Sequence, residues 1–262
     1  NNKMNNINLY NFNNKDRICC REKMIIHLEK VKKGISKMNG KNISMIDIVK
    51  SAINIIDIVK LATNIIDTVK PSTITTADEQ NLLYNNEEAN IINELWNNNS
   101  IQTASLDNMI ALIDISSSME QDKSEALYAA IGMSIRVAEK STIGKRIMAF
   151  TNKPSWINLD DCPDFISCVK KVTEIEYGMN ADIYKAMDFI LDTIIQNKIP
   201  PSEVENLVFV IFSDMQFDMY SKDNDSGNIN TIKNIFRQKF DEAGKQICGQ
   251  GYKVPHIIFW NM

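Results

Sequence analysis

The sequence predicts an α/β fold, an open and mostly parallel sheet flanked by helices. Three observations lead there. Runs of five or six residues that are nearly all apolar, at 109–113, 207–212 and 256–260, suit strands covered on both faces. Stretches with helical periodicity separate them, at 124–140, 182–197 and 229–243, and this alternation is the mark of parallel strands joined by crossover helices. The chain of 262 residues is 44% hydrophobic, enough to fill such a core.

The chain opens on a different composition. Residues 1–70 hold 13 Lys/Arg against 6 Asp/Glu, whereas residues 71–262 hold 16 against 27. Residues 1–78 therefore read as a basic, Asn/Lys/Ile-rich arm, and 79–262 as the α/β domain. The arm's lysines are spread out, with only Tyr10 and Phe12 as aromatics among them, so a solvated face is expected and nucleic acid would have to bind through the arm. The 31 Asn and 40 Ile fit the codons of an AT-rich genome and carry little chemistry. Within the arm, Ile43-Ser-Met-Ile-Asp-Ile-Val-Lys50 recurs as Ile53-Asn-Ile-Ile-Asp-Ile-Val-Lys60 and Thr63-Asn-Ile-Ile-Asp-Thr-Val-Lys70. Ten residues fall about 80° short of three helical turns, so equivalent apolar positions should wander around a helix rather than form one seam. A helix or a weakly packed tail is expected, ended by Pro71.

Residues 87–96 read as a short amphipathic helix broken by Asn97, Asn98, Asn99 and Ser100. Met109–Ile113 is the first strand and runs into Asp114. Asp122, with Glu125 three residues on, has the form of a capping box for the helix over 124–140. Residues 146–151 form a second strand, and Ser155–Asn158 an edge strand. The helix over 182–197 carries Met187, Phe189, Ile190, Ile194 and Ile195. A strand at 207–212 leads through Ser213 to Asp214. The helix over 229–243 should close at Gly244, and a last strand, 256–260, holds His256 as a core histidine.

Two strands thus end on acids, Asp114 and Asp214, at the carboxyl edge where open α/β sheets place their sites. The loop Asp114-Ile-Ser116-Ser-Ser118-Met119 spaces three oxygen side chains alternately, and hard divalent cations take such a set together with retained waters. The plainer reading of these residues is a loop that caps the next helix.

Asp114-Ile-Ser-Ser-Ser-Met119 resembles the metal-ion-dependent adhesion site of von Willebrand factor A domains. Residues 85–262 resemble more closely the domain of unknown function 2828 family of plants, fungi and giant viruses. The resemblance rests on Glu94-Leu-Trp96, Tyr177-Gly-Met-Asn180, Phe212-Ser-Asp-Met-Gln-Phe-Asp218 and Val254-Pro-His-Ile-Ile-Phe-Trp-Asn261. It implies a Rossmann-like sheet of von Willebrand A type with one Mg²⁺ or Mn²⁺ at its carboxyl edge. Ser116 and Ser118 match direct ligands, and Asp114 and Asp214 match acids acting through bound water. A protein partner's carboxylate would complete the shell.

Three positions depart from that pattern. Ala181 stands where the family offers a Thr ligand, so Asp182 or Asn180 substitutes or affinity falls. Ser117 replaces a Gly, which is tolerable if its backbone is not left-handed. The chain stops at Met262, where relatives add a strand and helix, which suggests a fragment.

Enzyme signatures are missing. There is no phosphate-binding Gly-x-x-x-x-Gly-Lys loop and no Gly-x-Gly-x-x-Gly fingerprint; Cys248-Gly-Gln-Gly251 is too short for one. His27 and His256 have no nucleophile motif beside them. The five cysteines lack zinc spacing and suit reduced thiols in a cytoplasmic protein, and no membrane span or signal peptide is evident. The expected function is a non-enzymatic protein-interaction module. The alternatives are a metal-free scaffold with a decayed site and a metal-assisted hydrolase using Asp114 and Asp214.

Overall fold

The computed structural model describes residues 43–68, 76–101, 103–151, 153–176, 178, 181–216 and 229–262, with isolated positions 23, 26, 30 and 33. Side chains of residues 62–86, 122–123 and 229–232 fall outside that description, as do Cys19, Cys20, His27, Tyr177, Asn180 and Asp218. The elements in chain order are α1 (Met45–Thr68), α2 (Thr76–Ser100), β1 (Met109–Asp114), a 3₁₀ turn (Ser117–Glu120), α3 (Gln121–Lys140), β2 (Arg146–Phe150) and β3 (Ser155–Asn158). There follow α4 (Phe165–Thr173), α5 (Ile183–Gln196), α6 (Pro201–Glu205), β4 (Val208–Ser213), α7 (Ile229–Cys248) and β5 (His256–Asn261).

The strands form one sheet in the order β3-β2-β1-β4-β5, with β3 antiparallel and every other pairing parallel. The α/β class read from the sequence is therefore the architecture found. Side chains alternate between the two faces as the pleat requires. Ala111 and Ile113 of β1, Ile147 and Ala149 of β2, and Val210 and Phe212 of β4 join one apolar cluster with α1, α3 and α4. Leu112, Met148, Phe150, Phe209 and Ile211 join the other, against α5 and α7. Strands buried on both sides have no polar face, which is why they read as continuous apolar runs.

α1 takes in the first decad copy from Met45, all of the second and the first six residues of the third, and it lies over α2, α3 and α4. Its ten-residue offset shows directly. Ile48 and Val49 are buried, while their copies Ile58 and Val59 are 46% and 38% exposed. The buried set Ile48, Val49, Ala52, Ile55 and Ile56 makes a single stripe at helical spacing, drawn from different positions of each repeat. At Gly132 of α3 a Cβ would sit 2.7 Å from Met45 Cγ, so the absent side chain lets α1 approach.

Several sequence expectations are corrected. α2 runs through Asn97–Asn99 to Ser100, because Asn98 Nδ2 bonds the Glu94 carbonyl at 2.8 Å and Asn99 Oδ1 accepts from Arg136 at 3.2 Å. α3 starts at Gln121 with Glu120 at its cap and no side-chain cap bond, so Asp122 lies inside the first turn instead of capping the helix. α7 continues past Gly244 to Cys248. A Cβ at Gly244 would overlap the Tyr252 amide and the Gln250 carbonyl, so that glycine serves close packing, and Gly249, at φ +71°, follows the helix end. His256 is exposed at the start of β5, not in the core. Helix α4 was not foreseen; Asp164 caps it, accepting from Ser167 N at 2.9 Å.

Candidate functional site

β1 and β4 are neighbours at the centre of the sheet, and the chain leaves them on opposite sides of the order, β1 toward β2 and β4 toward β5. This is the topological switch point at which open sheets leave a crevice beyond the strand ends. Both strand-end acids are there, Asp114 fully buried and Asp214 half-buried on the segment leaving β4.

Protein donors hold Asp114 on both oxygens. Oδ1 accepts from Ser116 N at 2.9 Å, and Oδ2 accepts from the Ser213 hydroxyl at 2.6 Å. Burial pushes the Asp114 carboxyl above the ordinary aspartate value. The hydrogen bonds from Ser116 and Ser213 oppose that shift, and the neighbouring Asp214 charge adds to it. Among the described residues, no cationic side chain contributes to this balance. A buried acid facing a second acid is the charge pattern that a bound cation would relieve.

The Ser116 and Ser118 hydroxyls lie 3.0 Å apart and bond to each other. Ser116 precedes the 3₁₀ turn but makes no side-chain cap bond to it, so the capping alternative is not what Ser116 does. The loop is held from outside. Ser117 N donates to the Gly178 carbonyl at 3.1 Å, and Ser116 forms a parallel bridge with Gly178. A Cβ on Gly178 would lie 2.5 Å from Thr151 Cβ, so only a bare backbone fits between Thr151 and the loop. Ser117 does not have positive φ, so the Gly-to-Ser departure brings no left-handed strain.

After β4, Met215 takes φ +64°, and its N–H turns back to the Ser213 hydroxyl at 2.9 Å. Asp214 Oδ1 accepts from Gln216 N at 3.2 Å, and Asp214 N points to Met119 Sδ at 3.2 Å. A left-handed non-glycine residue costs about 1 kcal/mol, and here it fixes the Asp214 turn against the serine loop.

Asp182 serves its own helix. Its Oδ1 accepts from Lys185 N at 3.0 Å to cap α5, and its Oδ2 pairs with Lys185 Nζ at 3.0 Å. Ala181 is buried in the cluster under α5 and offers no donor oxygen. The fold thus gathers Asp114, Ser116, Ser118 and Asp214 at one edge and turns Asp182 to the start of α5.

Sequence reasoning missed Ser213 and Thr151. Both are buried polar residues at strand ends beside Asp114. Ser213 was visible only as the residue before an acid, and Thr151 only as the last residue of an apolar run. Among the described residues, no group of three or more His, Cys, Asp or Glu is placed to hold a metal, so any ion here would depend on the serine hydroxyls. Among those residues, too, no helix is long and apolar enough to cross a membrane.

A family model described as Domain of unknown function (DUF7788) matches residues 108–262, the span from the residue before β1 to the last residue of the chain. No curated protein and no solved structure matches the chain.

Proposed function

The chain belongs to the DUF7788 family, and on that premise we propose that its carboxyl-edge loops form a metal-dependent protein-interaction module. The observation that carries the reading is the pair of hydroxyls on Ser116 and Ser118, 3.0 Å apart beside the buried Asp114 carboxylate, with the Asp214 charge near enough to act on Asp114. This donor set is all oxygen, small and weakly charged, which suits a Mg²⁺ or Mn²⁺ ion that keeps several waters. Ser116 and Ser118 would hold the ion, and Asp114 and Asp214 would orient its waters. The ion would supply a positive charge able to take a carboxylate from a protein partner. The von Willebrand A resemblance of the serine loop supports the same assignment. The missing enzyme motifs support a non-catalytic role, and the three described cysteines, as free thiols, suit a cytoplasmic setting.

A second reading has an observation of its own. Both Asp114 oxygens already have protein donors and Ala181 offers no oxygen, an arrangement complete without an ion. Under it the domain is a metal-free scaffold. Immobilising the chain and presenting a cell extract, with Mg²⁺ or with chelator, separates the two. A partner retained only with the ion, and not by Asp114→Ala, supports the metal-dependent module. Retention indifferent to chelator overturns it in favour of the scaffold.

A further inference from the structure

At the opposite edge of the sheet lies a concave groove of ≈ 900 Å³, between α7 and the segment leading into β5. His256 starts β5 and pairs with Val208 at the start of β4, so the groove is roughly 17 Å along the strands from the Asp114 edge. Its floor includes Tyr252, which is buried and whose hydroxyl donates to the Ile199 carbonyl at 3.2 Å. One wall is a stripe of α7, Lys233, Arg237 and Asp241, at four-residue spacing; Lys253 and His256 lie opposite.

The charges in this groove do not cancel. Asp241 is engaged by Lys245 Nζ at 2.6 Å, and Glu205 by Lys253. That leaves Arg237, an exposed guanidinium with no hydrogen bond or ion pair among the described residues. Among the described residues Lys233 is held only over the Phe259 ring, 5.9 Å from its centroid, which leaves its N–H groups available. The exposed His256 bonds through its backbone N–H to the Leu207 carbonyl, and its imidazole is free among the described residues. Residues 71–262 carry 27 acids against 16 bases, so two uncompensated cations a helical turn apart run against the charge of the domain.

We propose that this groove is a binding site for a small phosphate-bearing anion, a phosphomonoester or a pyrophosphate group. Arg237 presents a fork of donors that matches two phosphate oxygens, and Lys233 one turn away adds a point charge. The volume lies within the range of small-ligand pockets. Tyr252 is buried in the floor and offers no ring face for base stacking, so recognition rests on the anion.

The test titrates the full chain calorimetrically with inorganic pyrophosphate and, separately, with phenyl phosphate, in chelator-treated buffer with sulfate as the control anion. Saturable binding of either probe, with sulfate weaker, is expected; which probe binds tighter distinguishes the two sources. Arg237→Gln and Lys233→Gln should each weaken it about tenfold, and Asp114→Asn, at the other edge, should leave it unchanged. Both groove side chains are exposed, and circular dichroism checks that the variants stay folded. No saturable binding, equal binding of sulfate, or binding untouched by the two substitutions would overturn the proposal.

Discussion

Ser213 donates its hydroxyl to Asp114 Oδ2 at 2.6 Å and so ties the ends of β4 and β1 across 99 residues of sequence. The bond steadies a carboxylate that burial makes costly to ionise. Because the folded-state value lies above the unfolded one, the native state binds the Asp114 proton more tightly. Its contribution to stability is fully present below the ordinary aspartate value and is lost as pH rises through the folded value. In chelator, urea denaturation should show this decline with rising pH, and Asp114→Asn should remove it. At neutral pH the Asn variant should be at least as stable as the natural chain.

Ile48 and Ile58 hold the same place in successive decad copies, one buried and the other 46% exposed. Ile48→Ala should lower unfolding free energy by about 2–4 kcal/mol and Ile58→Ala by less than about 1 kcal/mol. Denaturant melts of the two variants check this. Equal losses would mean that α1 does not pack in this phase.

Trp96 lies between Phe165, stacked at 3.9 Å, and the Arg136 guanidinium, 3.8 Å from its ring centroid. Glu139 accepts from Trp96 Nε1 at 2.7 Å and from Arg136 at 3.2 Å, and Arg136 also reaches the Trp96 carbonyl and Asn99. Burial pulls the Arg136 value down and pushes the Glu139 value up, so each charge depends on the other. Arg136→Ala should therefore cost about 3–5 kcal/mol. The double variant Arg136→Met, Glu139→Leu should cost less than the single one, as a double-mutant cycle by chemical denaturation would show.

Gly244→Ala puts a methyl group against the Tyr252 backbone and should cost about 2–3 kcal/mol. Gly249 has open space around a Cβ but a φ of +71°, so Gly249→Ala should cost about 1 kcal/mol through backbone strain alone. Thermal melts of the pair separate crowding from strain.

What could be read from the residues followed the range of the forces. The strands were legible because burial on both faces leaves an unbroken apolar run, and β1 and β4 lie within a residue or so of their expected bounds. Asp114, Ser116 and Ser118 were legible because their grouping is local, at two-residue spacing. Ser213 on Asp114 and Gly178 against Thr151 are tertiary contacts, and nothing in either segment announces them. Gly244 misled because a helix-ending glycine and a close-packing glycine look alike until the neighbouring loop is in place. Helix α4 was missed because nine residues carry too few turns to show a period, and Asp164 was the only clear signal of its start. His256 reads as core from its apolar neighbours but is the first residue of an edge strand, where one side stays open.

Ser116, Ser118, Asp114 and Asp214 are proposed to hold one divalent ion together. Calorimetric titration of Mg²⁺, and separately Mn²⁺, into the chelator-treated and dialysed full chain tests it most directly. Saturable binding of one ion per chain is expected, abolished by Asp114→Ala and by Ser116→Ala. A folded chain that binds neither ion, or one that binds equally well after both serine-loop substitutions, would contradict it.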